Sequence, residues 1–376
     1  MIDPTTLTLS GLRIRATYDF HGDPAEARRR ADALRVEQTI EFPADLVPDD
    51  DIQREVVGRV ESLDEIGPDV VRAVVSYAVE TTGWELPQLL NVLWGNSSIQ
   101  PGVRLVDVAL PEALLDHLPG PRFGVSGLRR LLDATDRPLL ATALKPMGLS
   151  PERLAAQAYE LAVGGLDLVK DDHSLANQEF AAYRERVLAC SEAVRRASED
   201  TGRRVLYLPS LNAPFDELER RLDVAVSAGV GGLLVLPGLT GLDHLRHLAR
   251  SVDLPLMGHP ALLGSFTASP TSGIAHGVVY GTLMRVAGAD LSIFPSYGGR
   301  FSFSRDECRE IATALTAPLP ATAPAFPTPG GGMTLDRVPE ILDFYGPDVA
   351  LLIGGDLHRG ESLRATAAAF RSAIGA

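Results

Sequence analysis

The chain has 376 residues, 45% hydrophobic and 22% charged, a balance that supports a large packed core plus a smaller second domain and excludes a disordered or collagen-like chain. Its net charge of −14 gives no general attraction for nucleic acid or an anionic membrane, so an anionic substrate needs a local site. The two cysteines, Cys190 and Cys308, are too far apart in sequence for a structural zinc motif and too few for a disulfide framework, which fits a reducing cytoplasm.

The first twenty residues carry Asp3 and lack a basic start followed by an apolar block, so they do not read as a secretion signal. Residues 1–130 alternate strand patterns such as Arg13–Tyr18 with helical spacing over Pro24–Arg35 and Pro68–Thr81, which predicts a small α+β domain. Residues 131–376 follow a different rule. Eight leucine-rich or β-branched runs recur, at Leu139–Leu144, Leu166–Asp171, Val205–Leu208, Gly232–Leu236, Leu254–Gly258, Ala289–Phe294, Thr322–Phe326 and Asp348–Ile353. Amphipathic segments such as Glu152–Ala162, Asp216–Ala228 and Asp306–Thr316 lie between them. Eight strand–helix units predict a (β/α)8 barrel, with a doubly wound sheet as the competing α/β fold. The closing GGDLHRG segment favours the barrel, whose phosphate sites use the last loops. The longest stretch without formal charge, Leu254–Met284, holds three prolines, five glycines and two histidines, so it reads as strand, loop and helix start rather than a membrane span.

Of the 35 basic residues only Lys145 and Lys170 are lysine, the one basic side chain that readily becomes a nucleophile. Both end barrel strands, in TALKPMGLS and GGLDLVKDDHS, and catalytic groups of barrels sit at that face. Strand alternation puts Lys170 and Asp172 on one side and Asp171 on the other, with His173 at the exit. An ammonium is no metal ligand, but its CO2 carbamate is an oxygen donor that could join Asp172 around Mg²⁺. The plainer alternative is an internal Lys–Asp salt bridge.

KPMGLS and GGLDLVKDDH, supported by LRVEQT, LWGNSS, GHPAL, PGGGM and LIGGD, resemble the large-chain family of ribulose-1,5-bisphosphate carboxylase/oxygenase (RuBisCO), and more closely its non-fixing, form IV RuBisCO-like members. The resemblance runs over nearly the whole chain. It implies that Lys145 is the general base or proton shuttle. It also implies that Lys170 is carbamylated and, with Asp172 and His173, holds Mg²⁺, or Mn²⁺ given the imidazole. His259 would contact substrate, and Gly330, Gly331, Gly354 and Gly355 would bind phosphate through backbone N–H groups. Glu37 and Asn96 would complete the partner's site in a homodimer. Three departures predict loss of bisphosphate binding and CO2 capture: Met147 for a second lysine, Thr282 at the expected mobile-loop lysine, and Pro260 for an arginine. Asp356 adds a negative charge beside the second glycine pair, which Arg300 in SYGGRF could offset while binding a substrate carboxylate. His276 either lines the site or packs in a helix. The chemistry expected first is a metal-stabilised enediolate leading to carbon–carbon cleavage, a lyase or hydrolase step on a 3-oxo sugar-acid phosphate such as 3-oxo-isoapionate 4-phosphate. The alternatives are enolisation or isomerisation of a methylthio-sugar phosphate, and a non-catalytic metabolite-binding barrel.

Overall fold

The computed structural model describes residues 7–47 and 50–376, so Asp3 lies outside the described residues. Strand β1 (Arg13–His21) buries Ile14, Ala16, Tyr18 and Phe20, every second residue, against the first core. It pairs antiparallel with β3 (Val70–Ala78) and β4 (Val103–Ala109), and β3 in turn with β2 (Arg59–Gly67). The helix Pro24–Glu37 covers this sheet with Ala27, Ala31 and Leu34; Asp23 caps it by accepting from the Ala25 and Glu26 amides. The helix expected over Pro68–Thr81 is instead β3 followed by a short 3₁₀ turn. Val71, Ala73, Val75 and Tyr77 are fully buried at a period of two. Pairing on both edges, with β1 and β2, prevails over a helical spacing that β-branched valines satisfy poorly.

The barrel strands are β5 (Leu139–Leu144), β6 (Leu168–Asp171), β7 (Leu206–Leu208), β8 (Leu233–Val235), β9 (Leu256–Gly258), β11 (Leu291–Pro295), β12 (Phe326–Gly330) and β13 (Ala350–Ile353). All are parallel, in the order β7-β6-β5-β13-β12-β11-β9-β8. The remaining seam is closed by a bridge between Ser210 and Leu234, whose N–H donates to Pro209 O at 2.9 Å and whose carbonyl accepts from Leu211 N at 2.8 Å. The seventh strand was expected over Thr322–Phe326 but begins where that run ends. Its sequence, FPTPG, hides it. Phe326 N donates to Asp290 O, so residues 326, 328 and 330 bond towards β11, while Pro327 and Pro329 face β13. Only Gly330 pairs with Leu352 on that side, so the missing proline N–H groups cost little.

The helix Gly124–Leu132 plugs the N-terminal end of the barrel, packing Val125, Leu128 and Leu132 with inward residues such as Leu139, Leu168 and Phe326. The expected boundary at 130/131 falls inside this helix. Asp290, fully buried, fixes its entry by accepting from the amides of Phe123, Gly124 and Leu256 at 2.7, 2.8 and 2.9 Å. A two-residue strand, β10 (Gly273–Ile274), leaves the barrel to pair with β4, so the N-terminal sheet is stitched to the loop after the fifth barrel strand. Among the described residues no helix is long and apolar enough to cross a membrane.

Candidate functional site at the barrel mouth

The ladder between the first two barrel strands sets Ala143 against Lys170 and Leu144 against Asp171, so the next residues, Lys145 and Asp172, meet at the rim. Lys145 Nζ lies 2.7 Å from Asp172 Oδ2. The Lys170 side chain turns inward, 2% exposed, and donates to Asp171 O at 3.1 Å. The Asp171 carboxylate is sealed in the wall, accepting from Arg186 Nε at 3.1 Å, the Tyr207 hydroxyl at 2.8 Å and Ser210 N at 3.0 Å. Adjacent aspartates therefore have opposite fates: one locks the strand and the other faces the mouth.

Asp172 also accepts from His173 N at 3.0 Å, from His173 Nδ1 at 3.1 Å and from Ser174 Oγ at 3.2 Å. Burial alone would raise its pKa, but the hydrogen bonds from His173 and Lys145 and the charges of both lysines hold it well below the usual carboxylate range. Burial, reinforced by the charge of Lys145, pushes the Lys170 amine down to about 8 against the pull of Asp172 and Asp171. Lys145 thus takes the carboxylate, and Lys170 feels it only as a nearby charge. The His173 ring stacks on His259 with centroids 4.4 Å apart. His259 Nδ1 accepts from Ala261 N, and burial together with the charges of Lys170 and His173 keeps this imidazole neutral. Among the described residues no three His, Cys, Asp or Glu side chains are grouped to hold a metal. Asp172 and His173 put two such side chains next to each other at the mouth, with the Lys170 amine buried beside them.

Two glycine turns complete the mouth. A Cβ at Gly331, Gly354 or Gly355 would meet nothing within 4 Å; the Gly354 and Gly355 N–H groups have no backbone or side-chain acceptor among the described residues, whereas Gly331 N–H follows the Gly330–Leu352 pair and faces β13. Gly330 is different: its Cβ would stand 3.0 Å from Leu352 Cδ2 and its carbonyl accepts from Ser296 N, so it is glycine for packing. Asp356 follows the second turn with Arg359 Nε at 4.0 Å. Arg300 is exposed, its guanidinium 4.9 Å over the Phe301 ring.

Other sequence candidates lie elsewhere. Asn96 Nδ2 donates to Glu37 and Glu41 at 2.8 Å each, forming a separate cluster on the N-terminal domain beside Ile99, which is 81% exposed. His276 packs edge-on against Phe303 at 4.4 Å and sits 3.3 Å from Glu307, so of its two readings the helix-packing one holds. Thr282 is not on a mouth loop. It lies on a π-helical segment, Gly277–Leu283, ahead of β11, and lines an outer cleft of about 630 Å³. The loop leaving β11 is residues 296–304, whose only basic side chain is Arg300. Sequence reasoning passed over three groups at the mouth: Ser174, Arg337, and His358, whose pKa burial and the Lys145 charge depress. For His358 the available signal was its place three residues beyond the Gly354–Gly355 pair.

The family model for the ribulose bisphosphate carboxylase large chain, catalytic domain, matches residues 124–295. Ribulose bisphosphate carboxylase-like protein 1 of Rhodopseudomonas palustris is 42% identical over 364 residues, spanning 96% of this chain and 97% of that one. The 5-methylthioribulose-1-phosphate isomerase of Rhodospirillum rubrum is 39% identical over 368 residues, 97% of each chain. The crystal structure of a Rubisco-like protein from Rhodopseudomonas palustris superposes with a TM-score of 0.87 at 40% identity, covering 96% of this chain and 97% of that one.

Proposed function

The chain belongs to the RuBisCO large-chain family as a RuBisCO-like member, and from that premise we propose that it moves a proton on a phosphorylated methylthio-pentulose, isomerising it through an enediolate. The observation that carries this reading is the 2.7 Å Lys145–Asp172 pair beside the buried Lys170 amine. The similarity to the Rhodospirillum rubrum isomerase supports it. The carbon–carbon cleavage of a 3-oxo sugar-acid phosphate, expected first from the sequence, has no comparable support.

Lys170, Asp172 and His173 fit a divalent cation once Lys170 is carbamylated, since a pKa near 8 leaves part of the amine neutral and reactive towards CO2 at physiological pH. A bound Mg²⁺ or Mn²⁺ would supply electrophilic stabilisation of the enediolate oxygens. Lys145, released from Asp172 and acting as the neutral amine, takes the proton from the hydroxyl-bearing carbon beside the carbonyl and returns it to the carbonyl carbon, while the hydroxyl proton passes to the former carbonyl oxygen, so the reaction balances without a co-substrate. His259, neutral and with Nδ1 already engaged, presents Nε2–H to a substrate oxygen. The glycine turn after β12 and the amides of Gly354 and Gly355 hold the phosphate. Met147, 45% exposed two residues beyond Lys145, offers the methylthio group a polarisable apolar contact.

Exposed apolar side chains ring the mouth on successive loops, among them Met147, Phe180, Phe215, Leu239, Leu262 and Phe301, with Phe215 91% exposed. Such a rim favours a cover. A homodimer in which the Glu37–Asn96 cluster and Ile99 of one subunit meet the mouth of the other supplies it.

The test is incubation of the protein with bicarbonate, Mg²⁺ or Mn²⁺ and 5-methylthioribulose 1-phosphate in deuterated water, followed by NMR. Deuterium uptake with formation of an isomeric ketose phosphate is expected. CO2 release from 3-oxo sugar-acid phosphates without any proton exchange on the methylthio sugar would return the assignment to a cleavage enzyme.

A further inference from the structure

The loop leaving β11 and the turn leaving β12 are packed backbone to backbone. A Cβ on Gly299 would stand 2.7 Å from Gly331 O, and one on Gly332 would stand 2.9 Å from Gly299 Cα. Neither turn tolerates a side chain at that contact. One residue spans both. Arg337, in the 3₁₀ turn Leu335–Arg337, donates Nη1 to Gly332 O at 3.0 Å and Nη2 to Tyr297 O at 3.1 Å. Its guanidinium lies 5.5 Å from the centroid of the Tyr297 ring, and Glu340 holds Nε at 3.4 Å. Gly298, with φ +69°, passes directly under the guanidinium, where a Cβ would be 3.1 Å from Nη2. The side chain is 19% exposed, so the clamp is largely shielded from water. Arg300, the only basic residue of the β11 loop, follows Gly299 directly, one residue from the contact with Gly331.

We infer that Arg337 is a positioning residue for the substrate's phosphate: it fixes the β11 loop against the glycine turn so that Arg300 and that turn address one anion. This rests on the phosphate-binding role proposed for the turn. Arg337 spends its donors on two carbonyls and touches no ligand itself. What it provides is preorganisation, which lowers the cost of ordering two loops when the anion arrives.

The experiment titrates inorganic phosphate by calorimetry into the wild-type protein, Arg337→Ala and Gly299→Ala, with thermal unfolding of each as a control for folding. Affinity should fall roughly tenfold in both variants. Millimolar guanidinium should restore it in Arg337→Ala but not in Gly299→Ala, where the wedge is a methyl group rather than a lost donor. In turnover of 5-methylthioribulose 1-phosphate, KM should rise about tenfold while kcat stays within about twofold. If the wild-type protein binds no phosphate, the reading of the glycine turn fails. If it binds and both variants bind equally well, the turn stands and the role of Arg337 is overturned. Should Arg337→Ala not fold, Arg337→Lys, whose single ammonium cannot span both carbonyls, is read in its place, and unchanged phosphate affinity in it overturns the role of Arg337.

Discussion

The two ends of the barrel treat buried charge in opposite ways. At the floor, Asp167 is met by Arg137 at 2.7 and 2.8 Å, by Arg371 at 3.0 Å and by Leu140 N at 2.9 Å, and Asp290 accepts from three amides. At the mouth, Lys145 holds Asp172 while the buried Lys170 amine has only a backbone carbonyl, and the amides of Gly354 and Gly355 have no acceptor among the described residues. The floor is saturated by its own residues. The mouth keeps unmatched cations and donors, a state that costs stability and is useful only to an anionic ligand.

Substitutions at the two ends should therefore differ in sign. Asp290→Ala strands three buried amides and should cost about 5 kcal/mol, read as a large drop in the urea midpoint or outright failure to fold. A loss below about 1 kcal/mol would remove the floor's side of the contrast. Lys145→Met should leave the midpoint within about 1 kcal/mol, since Asp172 keeps His173 and Ser174 as donors, yet lower turnover about a thousandfold. Unchanged proton exchange in deuterated water would remove Lys145 from the mechanism.

Lys170→Met should stabilise the protein. In the folded chain the amine titrates near 8 against an ordinary value of 10.5, so below pH 8 it is charged in both folded and unfolded states and the cost of burying it is fully carried. Between pH 8 and 10.5 the folded state gives up its proton first, and wild-type stability rises with pH across that window. The advantage of Lys170→Met, about 3 kcal/mol at pH 7 in CO2-free buffer, should shrink towards zero by pH 10.5. Urea titrations at three pH values check it. Trapping of labelled CO2 on the wild-type amine should climb over the same range, and a flat profile would mean that Lys170 is not the CO2 acceptor.

The mouth was legible in sequence because barrel geometry is nearly deterministic there: a lysine at the end of each of two adjacent parallel strands must meet at one rim, and alternation separates Asp171 from Asp172. Other parts depended on pairing partners that sequence does not display. β3 carries an apolar spacing compatible with a helix until β1 and β2 claim both its edges. FPTPG reads as a loop until its prolines are seen to face the one neighbour that asks for almost no hydrogen bonds. Arg337 had no sequence signal at all, because its two carbonyl partners are brought together only when the β11 loop and the glycine turn touch.

Thr282 shows the same limit from the other side and gives the smallest effect. A motif comparison put it at the mobile-loop lysine, but it precedes β11, and in a parallel barrel only residues after a strand reach the mouth. It lines the outer cleft with Asp107, Asp306 and Glu310 and with Arg285 and Arg309, where a lysine would meet charges of both signs at a surface worth no more than about 0.5 kcal/mol. Thr282→Lys should therefore leave turnover and KM unchanged, whereas Arg300→Met, on the loop that does follow β11, should raise KM several-fold. If instead Thr282→Lys altered catalysis and Arg300→Met did not, strand order would have assigned the wrong loop to the mouth, and the contrast between an inert outer layer and a ligand-ready rim would have to be redrawn.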